Sequence, residues 1–102
     1  MKQNKLFSLL GLAAKSRNIV SGEFSTEKSV KENQAYLVIV AEDASDNTKK
    51  KFKNMCEFYH VPIAIYGTKD EIGHSIGKEF RATVAIINEG FANEINKIIS
   101  SL

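Results

Sequence analysis

The sequence predicts an α/β fold in which helices cover both faces of a central sheet. Two runs of apolar, largely β-branched residues, Tyr36–Ala41 and Ala82–Ile87, are typical of strands that are buried on both sides. Stretches with apolar residues at helical spacing precede, separate and follow these runs. Because strands alternate with helices along all 102 residues, we expect a single layered domain.

Two helices joined by a glycine turn are predicted before the first buried strand. Residues 4–15 place apolar side chains at helical spacing, and Asn4 is a candidate N-cap. A short apolar pair within residues 18–22 ends at the turn residue Gly22. A polar helix over residues 23–33 follows, and its composition predicts that it lies on the surface.

The acidic turn Glu42–Asp43 ends the first buried strand and leads into a third helix. This helix covers residues 48–59, and residues 45–47 supply its candidate caps. Its apolar stripe predicts which face is buried. The stripe consists of Phe52, Met55, Cys56 and Tyr59.

The second half of the chain repeats the alternation of strand and helix. Residues 61–66 predict a strand, and residues 69–76 a short helix that is capped by Thr68 or Asp70. After the second buried run, a turn leads into a last amphipathic helix over residues 91–100.

Basic residues are concentrated in the first two thirds of the chain. Residues 1–69 contain 11 basic and 7 acidic residues, whereas residues 70–102 contain 3 and 5. The first 18 residues hold no acidic residue, and a second basic cluster covers residues 49–53. This asymmetry is compatible with a polyanionic partner, and solvated helix faces are the alternative.

Composition excludes several classes of protein. A single cysteine excludes a disulfide framework and a cysteine-cluster zinc site. No apolar run approaches the roughly 20 residues that span a bilayer, so no membrane partner is expected. The apolar stretch at residues 6–14 lacks a small-residue cleavage site after it. We therefore expect mature protein in a reducing cytoplasm, without a cofactor.

Two groups of residues are candidates for catalysis or metal binding. Cys56 and His60 are four residues apart on one predicted helix, which suits a nucleophile pair or half a metal site. The position of Cys56 in the apolar stripe favours the alternative, a small hydrophobe in the core. Glu42 and Asp43, with Glu89, follow strand ends, where acidic residues bind cations or cap helices. No glycine-rich phosphate loop is present, and the spacing of serine, histidine and aspartate residues does not suggest a hydrolytic triad, so we expect no enzyme.

The turn at Gly22 is the strongest candidate for ligand binding that the residues alone provide. A helix start exposes backbone N–H groups that favour a phosphate or a base edge. Lys28 and Lys31 follow on the same helix and would add positive charge. The alternative is a surface helix in which Glu27 pairs with Lys31.

The order of these motifs resembles the ribosomal protein L7Ae/L30e superfamily, and most closely its short bacterial members. The resemblance covers about residues 4–100. It is carried by Val20–Gly22 with Lys28 six residues after the glycine, LVIVAEDAS at 37–45, CEFYHVPIAIYGTKDEIGHSIG at 56–77 and ATVAIINEGFA at 82–92.

The resemblance implies both a fold and a ligand. The fold is a three-layer α-β-α sandwich with a small mixed four-stranded sheet. The ligand is kink-turn RNA, a sharply bent helix–internal loop–helix with tandem sheared G·A pairs. One family contact is a G-x-N-E-x-x-K segment, in which Gly22 and Lys28 match. Phe24 and Ser25 replace the asparagine and glutamate that contact the G·A pairs.

Two further contact regions are implied, namely the acidic turn after the first buried strand and the loop before the last. In that loop Phe80 would stack on an extruded nucleotide, while Lys78 and Arg81 hold phosphate and Lys69 approaches from the neighbouring loop. The residues and the resemblance together predict RNA contacts at Gly22, Glu23, Phe24, Ser25, Lys28, Lys31, Glu42, Asp43, Ser45, Lys69, Lys78, Phe80 and Arg81.

We therefore expect a non-enzymatic, cytoplasmic RNA-binding protein that is associated with the ribosome. Its partner would be structured, kink-turn-like RNA such as ribosomal RNA, and not DNA or a membrane. The substitutions at Phe24 and Ser25 motivate an alternative, a protein-interaction module whose RNA site has decayed. RNA binding through another motif, such as a loop or a junction, is a further alternative.

Overall fold

The computed structural model describes residues 2–102, with side chains from residue 4 onward, and helices alternate with strands over this range. No helix in the described range is long and apolar enough to cross a membrane. In chain order the elements are α1 Lys2–Lys15, β1 Ile19–Ser21, α2 Glu23–Lys31, β2 Leu37–Val40, α3 Asp46–Tyr59, β3 Ile63–Ile65, α4 Lys69–Ser75, β4 Thr83–Ile86 and α5 Glu89–Ser100.

The four strands form one mixed sheet in the order β1-β4-β2-β3. Strand β2 is parallel to β3, whereas β4 is antiparallel to both β1 and β2. Val40 lies opposite both Ile65 and Thr83, and Ser21 lies opposite Val84. The C-terminal ends of β1, β2 and β3 therefore meet the N-terminal end of β4 at one edge of the sheet.

The helices form a layer on each face of the sheet, which confirms the predicted three-layer sandwich. Helix α1 packs against α4 and α5, and α2 packs against α3 on the other face. Every residue of β2 and β4 is buried, as their continuous apolar runs predict. Phe52 of α3 and Leu10 of α1 are fully buried in the core.

Caps account for most differences between the predicted and observed helix bounds. Helix α3 begins at Asp46, because the Ser45 hydroxyl accepts a hydrogen bond from the amide of Thr48 at 3.1 Å. Helix α5 begins two residues before its predicted start, since Asn88 caps it. Thr68, and not Asp70, caps α4. The expectation that Asn4 caps the first helix is wrong, because α1 already begins at Lys2.

Strand β1 is the element that the residue pattern missed. Its three residues, Ile19–Ser21, are only partly buried, and the sequence predicts no more than an apolar pair there. Pairing with β4 makes this segment a strand. Because β1 runs antiparallel to β4, its last residue lies at the same edge of the sheet as the start of β4.

Candidate nucleic-acid interface

Three helices start at the edge where β1, β2 and β3 end. We call this region the helix-start edge, and it comprises the turns at residues 21–23, 42–46 and 67–69 together with the loop at residues 77–82. Since β4 runs antiparallel to its neighbours, the loop before it reaches the same edge. The three regions that the resemblance implies as RNA contacts therefore lie at one edge of the sheet.

Gly22 forms the turn between β1 and α2. Its φ of 89° is in the region that favours glycine, and a Cβ built there would meet no atom within 4 Å. Backbone conformation, and not close packing, therefore explains the glycine. Its amide donates a hydrogen bond to the carbonyl of Thr83 at 2.9 Å, which ties the turn to the start of β4.

Helix α2 begins without a side-chain cap, whereas the side chains of Ser45 and Thr68 cap α3 and α4. Gly22 occupies the N-cap position of α2 and has no side chain that could accept from the first amides. The first-turn N–H groups of a helix have no partner within that helix. Helix α2 therefore presents donors, and the positive end of its dipole, to an external acceptor.

A relay of three polar side chains links α2 to α3 at this edge. The Ser45 hydroxyl donates to the hydroxyl of Thr48 at 2.9 Å, and Thr48 donates to the Glu23 carboxylate at 2.6 Å. Glu23 and Ser45 were both predicted as RNA contacts. The structure links them through Thr48, which accepts from the Ser45 hydroxyl and donates to the Glu23 carboxylate.

The acidic turn after β2 is joined to the start of α4. Asp43 accepts a hydrogen bond from the amide of Lys69 at 2.8 Å, and the Glu42 amide donates to the carbonyl of Gly67 at 2.7 Å. The Asp43 side chain thus satisfies a first-turn amide of α4, and not of α3, the helix that follows this turn in the chain. The edge is mixed in charge and not uniformly basic, since Glu42 is exposed beside Asp43.

The carboxylates do not form a metal site. Glu89 follows β4, which is antiparallel to β2, so it lies at the opposite edge of the sheet from Glu42 and Asp43. Within the described part of the chain, no three histidine, cysteine, aspartate or glutamate side chains are grouped to hold a metal ion.

Arg81 fixes the loop before β4 to two other elements. Its Nε donates to the Ser21 hydroxyl at 3.1 Å, and its amide donates to the carbonyl of Lys69 at 3.0 Å. Its Nη1 also donates to the carbonyl of Phe80 at 2.8 Å, so the guanidinium is partly used in holding the loop. Lys78 and Phe80 are exposed in the same loop.

Gly73 of α4 allows this loop to approach the helix closely. A Cβ at position 73 would lie 2.4 Å from the Phe80 Cα and 2.8 Å from the Glu79 carbonyl oxygen, both backbone atoms. Any side chain at Gly73 would therefore displace the loop. The sequence shows Gly73 only as part of a G-x-x-x-G pattern, so its role in placing Phe80 was missed.

The two predicted lysines of α2 differ in their surroundings. Lys31 pairs with Glu27 at 2.6 Å, and Glu27 also pairs with Lys51 of α3 at 2.7 Å. These hydrogen bonds, first to Lys31 and then to Lys51, lower the pKa of Glu27 to about 2. Within residues 4–102, no carboxylate lies within ion-pairing distance of Lys28. Lys28 is therefore the more available cation for a phosphate.

Cys56 and His60 do not form a catalytic pair. Cys56 is buried in the core, and burial raises the pKa of its thiol to about 11. His60 is exposed at the C-cap of α3 with a φ of 60°. The thiol is therefore protonated at neutral pH and is shielded from solvent, which favours the structural interpretation of Cys56.

Comparison with known proteins gives one family match and several close relatives. The model of the ribosomal protein L7Ae/L30e/S12e/Gadd45 family matches residues 4–96. A protein of Bacillus subtilis (strain 168) named RNA-binding protein YlxQ is 43% identical, over 91% of this chain and 93% of its own. A protein of the same name from Enterococcus faecium is 36% identical, over 95% of this chain and 93% of its own.

Two solved structures share the architecture. A protein of unknown function from Bacillus halodurans superposes with a TM-score of 0.92 at 36% identity, covering 94% of this chain and 97% of that one. A 15.5 kDa RNA-binding protein of Giardia lamblia superposes with a TM-score of 0.81, covering 98% of this chain and 86% of that one. At 24% identity, the second likeness shows the fold alone.

Proposed function

Because the chain belongs to the ribosomal protein L7Ae/L30e/S12e/Gadd45 family, we propose that it is an RNA-binding protein whose target is a kink-turn-like RNA. The names of both YlxQ relatives support RNA binding. The observation that carries the proposal is the start of α2. Among the three helices that begin at the helix-start edge, it alone lacks a side-chain cap. An RNA phosphate or base edge would supply the missing acceptor.

Lysines around this helix start would provide most of the sequence-independent affinity. Lys28 is exposed and unpaired within the described residues, and Lys78 is exposed on the loop before β4. Lys69 and Arg81 are half-buried, and the Arg81 amide donates to the Lys69 carbonyl. Contacts from such cations to phosphates position the RNA and carry no base sequence information.

The shape of the RNA would be recognised because the contacts come from separate turns at fixed positions. Hydrogen bonds from Arg81 to Ser21 and from Lys69 to Asp43 hold these turns together. An RNA backbone that bends sharply can contact all of these fixed turns at once, whereas a straight duplex would contact only some of them. Phe80, which is 54% exposed, would stack on a nucleotide that the bend extrudes.

We further propose a single RNA-binding domain over residues 1–102 that acts in the cytoplasm without a catalytic step, on structured RNA of the ribosome. The predicted contacts at Glu42, Asp43 and Lys31 would then be peripheral, since Asp43 caps α4 and Lys31 pairs with Glu27.

A second candidate function is binding to another protein. It is favoured by Phe24, whose side chain is 80% exposed at a position where the family has an RNA-contacting asparagine. A protein partner that is recovered after nuclease treatment, and lost in Phe24→Ala, would support this candidate.

The proposed function is tested by titrating labelled RNA and following fluorescence anisotropy. One RNA contains a kink-turn, and a matched control replaces its internal loop with Watson–Crick pairs, so that charge and length stay similar. We expect at least tenfold tighter binding to the kink-turn. Equal affinity for both RNAs at several salt concentrations would mean that electrostatic attraction alone accounts for binding, and would contradict the proposal.

A further inference from the structure

Phe24 is the most exposed large apolar side chain at the helix-start edge. It lies in the first turn of α2 and is 80% exposed, beside a helix start that has no side-chain cap. Phe58 is similarly exposed at 74%, but it lies in the last turn of α3, away from the edge where that helix begins. An exposed phenylalanine does not by itself indicate a binding site. The exposure of Phe24 is relevant because this residue lies at the helix-start edge.

Two open grooves on the surface of α2 are lined by both Phe24 and Lys28. The first also involves Glu27 and Lys31, the second extends towards Val20, Ser25 and Gln34, and Glu32 lines both. A flat aromatic ring and a cation thus border the same surface one helical turn apart. This pairing suits a nucleotide, which combines an aromatic base with an anionic phosphate.

Two of the carboxylates on α2 have partners other than Lys28. Glu23 accepts from Thr48 at 2.6 Å, and Glu27 is held between Lys31 and Lys51. Glu32, one helical turn after Lys28, is exposed but forms no ion pair with it, so Lys28 has no ion-pair partner among the described residues. The first turn of α2 presents a phenyl ring, a serine hydroxyl and uncapped amides.

We propose that Phe24 stacks against an unpaired nucleobase of the RNA while Lys28 holds a phosphate of the same or the adjoining nucleotide. This inference rests on the proposed function and specifies its RNA class. A base within a G·A pair has both faces covered by its neighbours in the helix, so a base on Phe24 must be unpaired. The preferred RNA then contains two unpaired bases, one for Phe24 and one for Phe80.

The experiment uses kink-turn RNAs in which each unpaired loop nucleotide in turn is replaced by the fluorescent base 2-aminopurine. Emission and affinity are measured with the wild-type protein, Phe24→Ala, Phe24→Trp, Phe80→Ala and the matched control Phe58→Ala. Because the Phe24 and Phe58 side chains are largely in solvent, these replacements leave the core intact, which circular dichroism verifies.

We expect one loop position whose emission changes on binding and returns to its free value in Phe24→Ala. The affinity of that variant falls at least about fivefold, as expected for the loss of one base–aromatic stack. Phe24→Trp keeps the signal, and Phe58→Ala behaves as the wild type. Phe80→Ala abolishes the signal at a different position.

Kink-turn binding in which no position depends on Phe24 would overturn the inference and leave the proposed function standing. Loss of affinity in Phe24→Ala without any change in base emission would also overturn it, because stacking would not be the cause. No binding of any kink-turn RNA by the wild-type protein would overturn both.

Discussion

The Nε of Arg81 lies 3.1 Å from the hydroxyl oxygen of Ser21, and this hydrogen bond joins residues that are 60 positions apart in the chain. It ties the loop before β4 to the last residue of β1, which pairs with β4 itself. The loop that carries Phe80 is thus fixed next to the Gly22 turn. The proposed recognition of a bent RNA depends on this fixed arrangement.

Gly73→Ala is expected to displace the Phe80 loop. The new Cβ would lie 2.4 Å from the Phe80 Cα, and backbone cannot give way as a flexible side chain does. We expect a loss of about 1–3 kcal/mol in the free energy of unfolding, measured by urea denaturation. We also expect weaker binding of kink-turn RNA under conditions where the variant is folded.

Gly90→Ala is the control for this prediction. Its Cβ would meet only the side-chain oxygen of Asn88, at 3.3 Å, and it lies at the opposite edge of the sheet. Its RNA affinity should match that of the wild type. If Gly73→Ala binds RNA as tightly as Gly90→Ala does, the position of the loop is irrelevant to recognition.

Lys28→Ala is expected to remove one phosphate contact. Its affinity for kink-turn RNA should fall, and the slope of log affinity against log salt concentration should become smaller by about one. Arg17→Ala removes one charge from the turn before β1, at the opposite edge, and should leave the slope unchanged. An unaltered slope in Lys28→Ala would exclude this lysine as a phosphate contact.

The double substitution of Phe24→Asn with Ser25→Glu is expected to strengthen binding to kink-turn RNA. It restores the residue types with which the family contacts the tandem G·A pairs, and we expect two base contacts to contribute more than the one stack that is lost. Gel-shift titration of the wild-type and double-variant proteins measures the change. If affinity does not increase, the departure from the family pattern at these positions is not what limits G·A recognition.

Glu27 makes the stability of the α2–α3 contact depend on pH. Hydrogen bonds from Lys31 and Lys51 lower its pKa to about 2, from an ordinary value of 4.5. The resulting stabilisation is present above pH 4.5 and is lost as the pH falls towards 2. The wild type should therefore lose more stability over this interval than Glu27→Gln, by about 1 kcal/mol or less because solvent screens the pairs.

Chemical denaturation at several pH values measures this difference. Glu94→Gln is the matched control, since Glu94 faces Lys97 at 3.7 Å in an exposed pair on α5. Parallel pH profiles for the wild type and Glu27→Gln would show that the two ion pairs contribute nothing to stability.

The sequence predicts the layers and most elements of this fold because the signals are local. The apolar runs of β2 and β4 and the stripe through Phe52 and Cys56 are each visible within a dozen residues. Strand β1 is not, since its three residues form a strand only by pairing with β4. The family resemblance implies four strands, one more than the residue pattern predicts.

The site was predictable in outline but not in its internal contacts. The motifs indicated three turns, and the topology brings them to one edge. The sequence does not show that Glu23 is held by Thr48, that Asp43 caps α4 or that Gly73 admits the Phe80 loop. Each of these depends on contacts between distant segments. These contacts distinguish the residues that stabilise the helix-start edge from the residues whose side chains remain accessible for the proposed RNA contacts.

The most direct test of the helix-start edge as the RNA interface is a titration of the ¹⁵N-labelled protein with kink-turn RNA, followed by amide chemical shifts. We expect the largest shifts at Gly22, Phe24 and Ser25 around the first turn of α2 and at Phe80 in the loop before β4. Shifts confined to the opposite edge, around Asn18 and Asn88, would contradict it.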